Sequence, residues 1–205
     1  MDYNTLATPE SITKTADALK AHHYEPIQVK TKEEALAKIK ELIPQGASVM
    51  NGASKTLADV GYIDYLKEGK HGWNNLHDAI LAEKDPAKQS LLRRQSVVSD
   101  FYLGSVHALT ETGEMLISSN SGSQLPHLVF TSPNIVLVVG ANKIVPSIAE
   151  GFSRIEKQVI PLEDERMKGV YGFGTMQAKT LIMHKENPAL GRKIHVIIVN
   201  DTLGF

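Results

Sequence analysis

Cysteine is missing from all 205 residues. That absence removes disulfides, thiolate nucleophiles, Cys-ligated zinc and any Cys-ligated iron–sulfur cluster carried by this chain. Long apolar runs are missing too. A membrane span needs roughly 18 such residues, and the run from Ile135 to Gly140 has only the length of a core strand. Neither sign of charge is in excess. The formal net charge is -1, and the only Arg pair, Arg93-Arg94, lies in a helical pattern. No strong field therefore draws the chain to nucleic acid or anionic lipid. Met1 to Leu6 has no basic cluster and no apolar core, so no secretory signal is expected and the expected location is cytoplasmic.

What is present is ordinary for a globular protein: 42% hydrophobic and 22% charged residues. A chain of this length buries roughly 70% of its unfolded surface and needs no staples. One domain, residues 1–205, is the expectation. Thr8-Pro9 reads as an N-cap followed by proline at the first helical position, with Ile12, Ala16 and Leu19 at helical spacing. This gives residues 1–30 the look of an N-terminal helical extension. Thr31-Lys32-Glu33-Glu34 has the pattern of a capping box for a helix that buries Leu36, Ile39 and Ile43. A short strand, Ala47 to Met50, leads through Asn51-Gly52-Ala53-Ser54 into a helix over Lys55 to Val60, and Asp85-Pro86 opens another running to about Val98.

The β-prone runs Tyr102 to Leu109 and Glu114 to Ser118 flank Thr110-Glu111-Thr112-Gly113, a hairpin pattern. Asn134 to Gly140 and Ile194 to Asn200 are continuously apolar, as in strands covered on both faces. Residues 163–193 are rich in glycine and charge and read as an irregular loop region. The alternation of elements predicts a three-layer α/β/α sandwich with a mixed, largely parallel sheet.

In such sheets ligands bind beyond the carboxyl ends of strands, which selects two turns. In the first, Gly52, Ser54 and Thr56 stand at a predicted helix start, where backbone N–H groups favour an anion. The spacing is not that of a P-loop, and the plainer reading is a tight turn with an N-cap. The second is Ser118 to Ser123, where Asn120, Ser121 and Gly122 form either an anion nest or a flexible loop. Glu111, flanked by Thr110 and Thr112, is either a general base or nucleophile in a pocket or an exposed turn residue. The eight histidines show no i, i+4 pair, so no metal site is expected. Trp73 is a lid, an interface anchor or, more plainly, a packing residue. No cofactor is assigned.

Four segments in order resemble the LUD (lactate-utilisation) domain family, of the lactate utilisation protein C type. They are Gly52-Ala53-Ser54-Lys55-Thr56-Leu57, then Ala108-Leu109-Thr110-Glu111-Thr112-Gly113, then Leu125-Pro126-His127 through Asn134–Val139 to Lys143-Ile144-Val145-Pro146, and finally His195–Asn200. The chain departs from the family pattern at Glu114 and across Gly172 to Thr180. The resemblance implies a fold like the sugar-phosphate isomerase/CoA-transferase superfamily. It also implies a role in oxidising lactate or a related small organic acid beside iron–sulfur partner proteins, with this chain the cluster-free member. The ligand expected is an anionic small molecule held by Gly52, Ser54, Thr56, Thr112, Asn120, Ser121 and Gly122, with Glu111 as the catalytic candidate. Two other readings stay open: a stand-alone isomerase or acyl/CoA-group transferase using Glu111, and a non-catalytic scaffold for iron–sulfur partners. Homo-oligomerisation is also left open.

Overall fold

The computed structural model describes residues 2–205. Its helices are α1 (Pro9–Ala21), α2 (Lys32–Leu42), α3 (Lys55–Asp59), α4 (Tyr62–Lys67), α5 (Leu76–Ala82), α6 (Pro86–Gln95), α7 (Ile148–Arg154) and α8 (Ile160–Tyr171). Its strands are β1 (Glu25–Val29), β2 (Ser48–Asn51), β3 (Asn74–Asn75), β4 (Phe101–Gly104), β5 (Ala108–Thr110), β6 (Met115–Ser119), β7 (Asn134–Gly140), β8 (Ile144–Val145), β9 (Lys179–Met183) and β10 (Lys193–Val199). Capping chemistry sets several helix starts. Thr8 Oγ1 accepts from the Ser11 amide, Thr31 Oγ1 from Glu34, and Asp85 from Ala87 and Lys88.

Six strands form one parallel sheet in the order β1-β10-β7-β4-β2-β3. The two central strands, β7 and β10, divide their side chains between two cores. Val136, Val138, Ile197 and Val199 pack with Ala35, Ile39, Leu57 and Tyr62 of α2 to α4. Ile135, Leu137, Val139, Val196 and Ile198 pack with Leu19 of α1 and with Leu109, Met115 and Ile117 of a second sheet. Alternate burial on both faces is why these strands read as unbroken apolar runs. The second sheet, in the order β8-β5-β6-β9, carries the hairpin on its antiparallel β5–β6 pair. Its outer face, through Ala108, Leu116 and Val145, packs with Ile155, just past the end of α7. The result is a largely parallel central sheet with helices on both sides, as expected from the alternation of elements.

Three expectations change. The β-prone run from Tyr102 to Leu109 is not one strand. Its first part, β4, lies in the large sheet and its last part, β5, in the small one, with Ser105-Val106-His107 crossing between. Residues 1–30 are not an appendage, because α1 fills the space between the sheets and β1 pairs with β10 at the edge. The stretch 163–193 is irregular only in part. Residues up to Tyr171 continue α8, and β9 pairs antiparallel with β6. Helix α8 has no buried residue, so it lacks the apolar stripe that identifies a helix in sequence. Before it, residues 155–159 widen into a π-helical turn, next to Pro161, which has no N–H to give the helix ladder.

Candidate functional site

Four connections meet at the carboxyl edge of the large sheet. After β2, Asn51-Gly52-Ala53-Ser54 turns into α3. After β4, Ser105-Val106-His107 crosses to the second sheet. After β7, Ala141-Asn142-Lys143 leads into β8, and after β10 the chain folds back through residues 200–205. The last of these is stitched to the others. The Leu203 amide donates to Asn142 Oδ1 at 3.1 Å and the Gly204 amide to Asp59 at 2.9 Å. Glycine is needed at two of these crossings. A Cβ on Gly140 would stand 2.4 Å from Asn142 Oδ1 and 2.8 Å from the Leu203 nitrogen. Gly204 has φ +60°, and its Cβ would meet Thr56 Oγ1 at 2.3 Å.

Lys143 lies at the centre of this edge. It is 3% exposed, and its Nζ donates to Thr56 Oγ1 (2.8 Å), Ser105 Oγ (3.1 Å) and the Val106 carbonyl (3.3 Å). No carboxylate of the described residues lies within 4.0 Å of it. Burial holds its pKa well below the ordinary lysine value, the Arg154 charge pushes the same way, and Asp59 opposes both. Asp59 is itself occupied by Lys55 and by the Gly204 amide. Buried cations are normally paired; this one has hydroxyls and a carbonyl instead. Two more polar atoms at the strand ends have no partner among the described residues, Asn51 Oδ1 and Asn142 Nδ2. Thr56 Oγ1 accepts from Lys143, and its own proton has no acceptor among those residues.

The residues singled out in the sequence fall into separate places. Ser54 caps α3, its Oγ accepting from Leu57 at 3.2 Å, and Thr56 reaches Lys143. Gly52 lies against Tyr102, whose hydroxyl donates to Gln124 Oε1 at 3.5 Å. Gln124 in turn donates to the Ser118 carbonyl at 3.1 Å, so Tyr102 and Gln124 link the first selected turn to the second. Within that second turn, Asn120 bonds Thr175 at 3.3 Å, Ser121 bonds Ser123 at 3.1 Å, and the Gly122 amide bonds Ser119 at 2.9 Å. Glu111 is engaged by α1. Ser11 donates to it at 2.6 Å and Lys14 at 2.8 Å, and these bonds hold its carboxyl below the usual range. Thr112 donates to Glu114 at 2.6 Å. No hydrogen bond joins Glu111 to Ser54 or to Asn120.

His127 lies in the segment that follows the second selected turn. It stacks on Tyr102 with ring centroids 4.4 Å apart, and its Nδ1 lies 2.8 Å from Ser132 Oγ. Burial lowers its pKa to about 4. The unfolded chain takes up this proton near pH 6.5 and the folded one only near 4, so stability falls as pH drops through that window. One such shift is worth about 3 kcal/mol in all. Chemical denaturation at pH 7, 5.5 and 4 should show this slope in the wild type and a flatter one in His127→Phe, which keeps the stack. Equal slopes would place the acid sensitivity elsewhere.

Lys143 escaped the sequence reading although a signal was there. Asn142-Lys143 follows directly on the most apolar strand of the chain, so it had to lie at a strand's carboxyl end. No group of three or more His, Asp or Glu among the described residues could hold a metal ion.

Comparison with known proteins fits this architecture. A crystal structure of a DUF162 family protein from Deinococcus radiodurans, at 1.70 Å resolution, superposes with a TM-score of 0.57 at 13% identity. The alignment covers 96% of this chain and all of that one. At that identity the likeness speaks for the fold alone. No curated protein matches the chain. The sequence profile of the LUD domain matches residues 12–199, from within α1 to the end of β10. The chain therefore belongs to the LUD domain family.

Proposed function

We propose that this chain binds a small anionic metabolite at the carboxyl edge of its parallel sheet, as the cluster-free component of a system that oxidises lactate or a related organic acid. The observation that carries this reading is the Lys143 ammonium, buried at the strand ends without a carboxylate. A buried charge left unpaired costs several kcal/mol, and such costs concentrate at functional sites. An anion entering past Ser105, which is partly exposed, replaces one acceptor on Nζ. The Thr56 hydroxyl then donates its free proton, and the start of α3 behind Ser54 adds backbone N–H groups. Burial excludes water from the pair and so strengthens it.

The organic-acid assignment comes from the family; with no cysteine in this chain, a Cys-ligated cluster in such a system would be carried by a partner protein. The chain's own part is to bind and orient the acid.

A thermal-shift panel of lactate, pyruvate, glycolate, sugar phosphates, CoA esters and nucleotides tests the reading. Ligand at about 100 times its Kd adds roughly 2.7 kcal/mol, or about 5–10 °C for a domain of this size. Ser54→Ala lowers the baseline by about 1 kcal/mol as a lost N-cap, and we expect it to shrink the ligand-induced shift as well. A full shift in Ser54→Ala would leave Ser54 as a cap only. A flat panel in the wild type would remove the binding function.

A further inference from the structure

We propose that Arg154 is a carboxylate seat, and that the anion taken by this protein is a short carboxylic acid carrying a second oxygen function. The inference rests on the anion-binding reading above and narrows its ligand class. Arg154 ends α7 and is completely buried. Its Nη1 donates to the His107 carbonyl, while Nε and Nη2 are buried with no partner among the described residues. Those two N–H groups form the side edge of the guanidinium, and that edge matches both oxygens of a carboxylate at once. Glu150, one turn earlier on α7, does not fill the role, because it accepts from Tyr3 Oη at 2.6 Å. No ion pair within 4.0 Å includes Arg154 among the described residues.

Arg154 and Lys143 act on one short piece of chain. Lys143 donates to Ser105 Oγ and the Val106 carbonyl, and Arg154 donates to the carbonyl of the next residue, His107. Two buried cations thus grip adjoining residues of the crossover between the sheets, and neither has a counter-ion. His107 does not supply a negative charge either. Its Nδ1 accepts from the Ser118 amide at 3.0 Å, and burial with these two cations keeps the ring neutral. These buried donors have no anionic partner among the described residues. A carboxylate on the Arg154 edge, with a hydroxyl or carbonyl oxygen turned toward Lys143, supplies one.

Helix α7 sits tightly on the small sheet, since a Cβ on Gly151 would meet Leu116 Cδ2 at 2.9 Å and Ala108 Cβ at 3.3 Å.

The Nε–Hε resonance of Arg154 in an 15N-labelled sample reads the seat without any variant. Pyruvate, lactate and glycolate are the probes, with lactamide and inorganic phosphate as controls, and affinities come from calorimetry. The acids are expected to move the Arg154 resonance saturably and lactamide to leave it in place. Arg154→Lys retains a cation for His107 but loses the paired edge, and should weaken the acids by roughly tenfold to a hundredfold. Acid binding that is lost in Lys143→Met but leaves the Arg154 resonance unmoved would overturn the seat and spare the anion site. Phosphate binding in preference to every acid would overturn the ligand class. No binding of any anion by the wild type would overturn both proposals.

Discussion

Replacing Lys143 by methionine is expected to abolish anion binding while leaving the fold intact. Methionine keeps the unbranched side chain as far as Cε and removes the charged nitrogen. Truncating one member of a buried charged pair typically costs 2–5 kcal/mol of binding, so affinity should fall by roughly a hundredfold or more. The unliganded protein should not suffer in the same measure. The variant loses three hydrogen bonds to Thr56, Ser105 and Val106, but it also loses a desolvated ammonium with no carboxylate beside it. Exchanges of that kind are often neutral or stabilising. The sign of the pH dependence supplies a second check. A lysine with a depressed folded pKa binds its proton less tightly when folded than when unfolded. Stability contributed by this group is therefore full above the ordinary value of 10.5 and is lost as pH falls below it toward the folded value. As pH rises toward 10.5 the wild type should gain stability relative to Lys143→Met in urea titrations. A wild-type curve parallel to that of the variant would mean that Lys143 is not strained by burial.

Gly140→Ala should be the most damaging small substitution in the chain. The added methyl would fall 2.4 Å from Asn142 Oδ1, 2.8 Å from the Leu203 nitrogen and 2.9 Å from the Asp201 carbonyl oxygen. Two of these are backbone atoms and cannot rotate away. The Asn142–Leu203 hydrogen bond must break or β7 and the C-terminal segment must part, at an expected cost of about 2–4 kcal/mol. Because the same segment carries Gly204 against Thr56 and Lys143, the variant should also lose ligand. Gly46→Ala is the control. Its Cβ would meet nothing within 4 Å, so only the cost of its φ of +82° remains, about 1–2 kcal/mol. If Gly140→Ala cost no more than this control, the packing of the C-terminal segment onto the strand ends would be wrong.

How far the sequence reveals this protein depends on where each element buries its residues. Strand β7 was legible from Asn134 to Gly140 because both its faces are covered and every residue of its interior is apolar. The starts of α1, α2 and α6 were legible because Thr8, Thr31 and Asp85 cap them by local chemistry that needs no tertiary contact. Helix α8 was not, since it buries nothing and so has no stripe. The crossover at Ser105-Val106-His107 was hidden inside a β-prone run, because sequence does not show that a strand has changed sheets. The site divides in the same way. Thr56 was found from its place at a helix start, whereas its partner Lys143 lies 87 residues away and comes into reach only through the parallel order of β2, β4 and β7. Arg154 follows Ser153 at the end of α7, one turn after Glu150, and an arginine in that setting reads as surface until the missing counter-ion becomes visible in three dimensions.

The presence of an anion beside Lys143 can be tested without knowing the natural ligand. Crystals soaked in sodium bromide, with anomalous data collected at the bromine edge, locate monovalent anions directly. An ordered bromide within hydrogen-bonding reach of Lys143 Nζ, flanked by Thr56 and Ser105 and absent from Lys143→Met crystals, is the expected result. Bromide found only on exposed lysines and arginines, with none at the strand ends, would contradict the anion site.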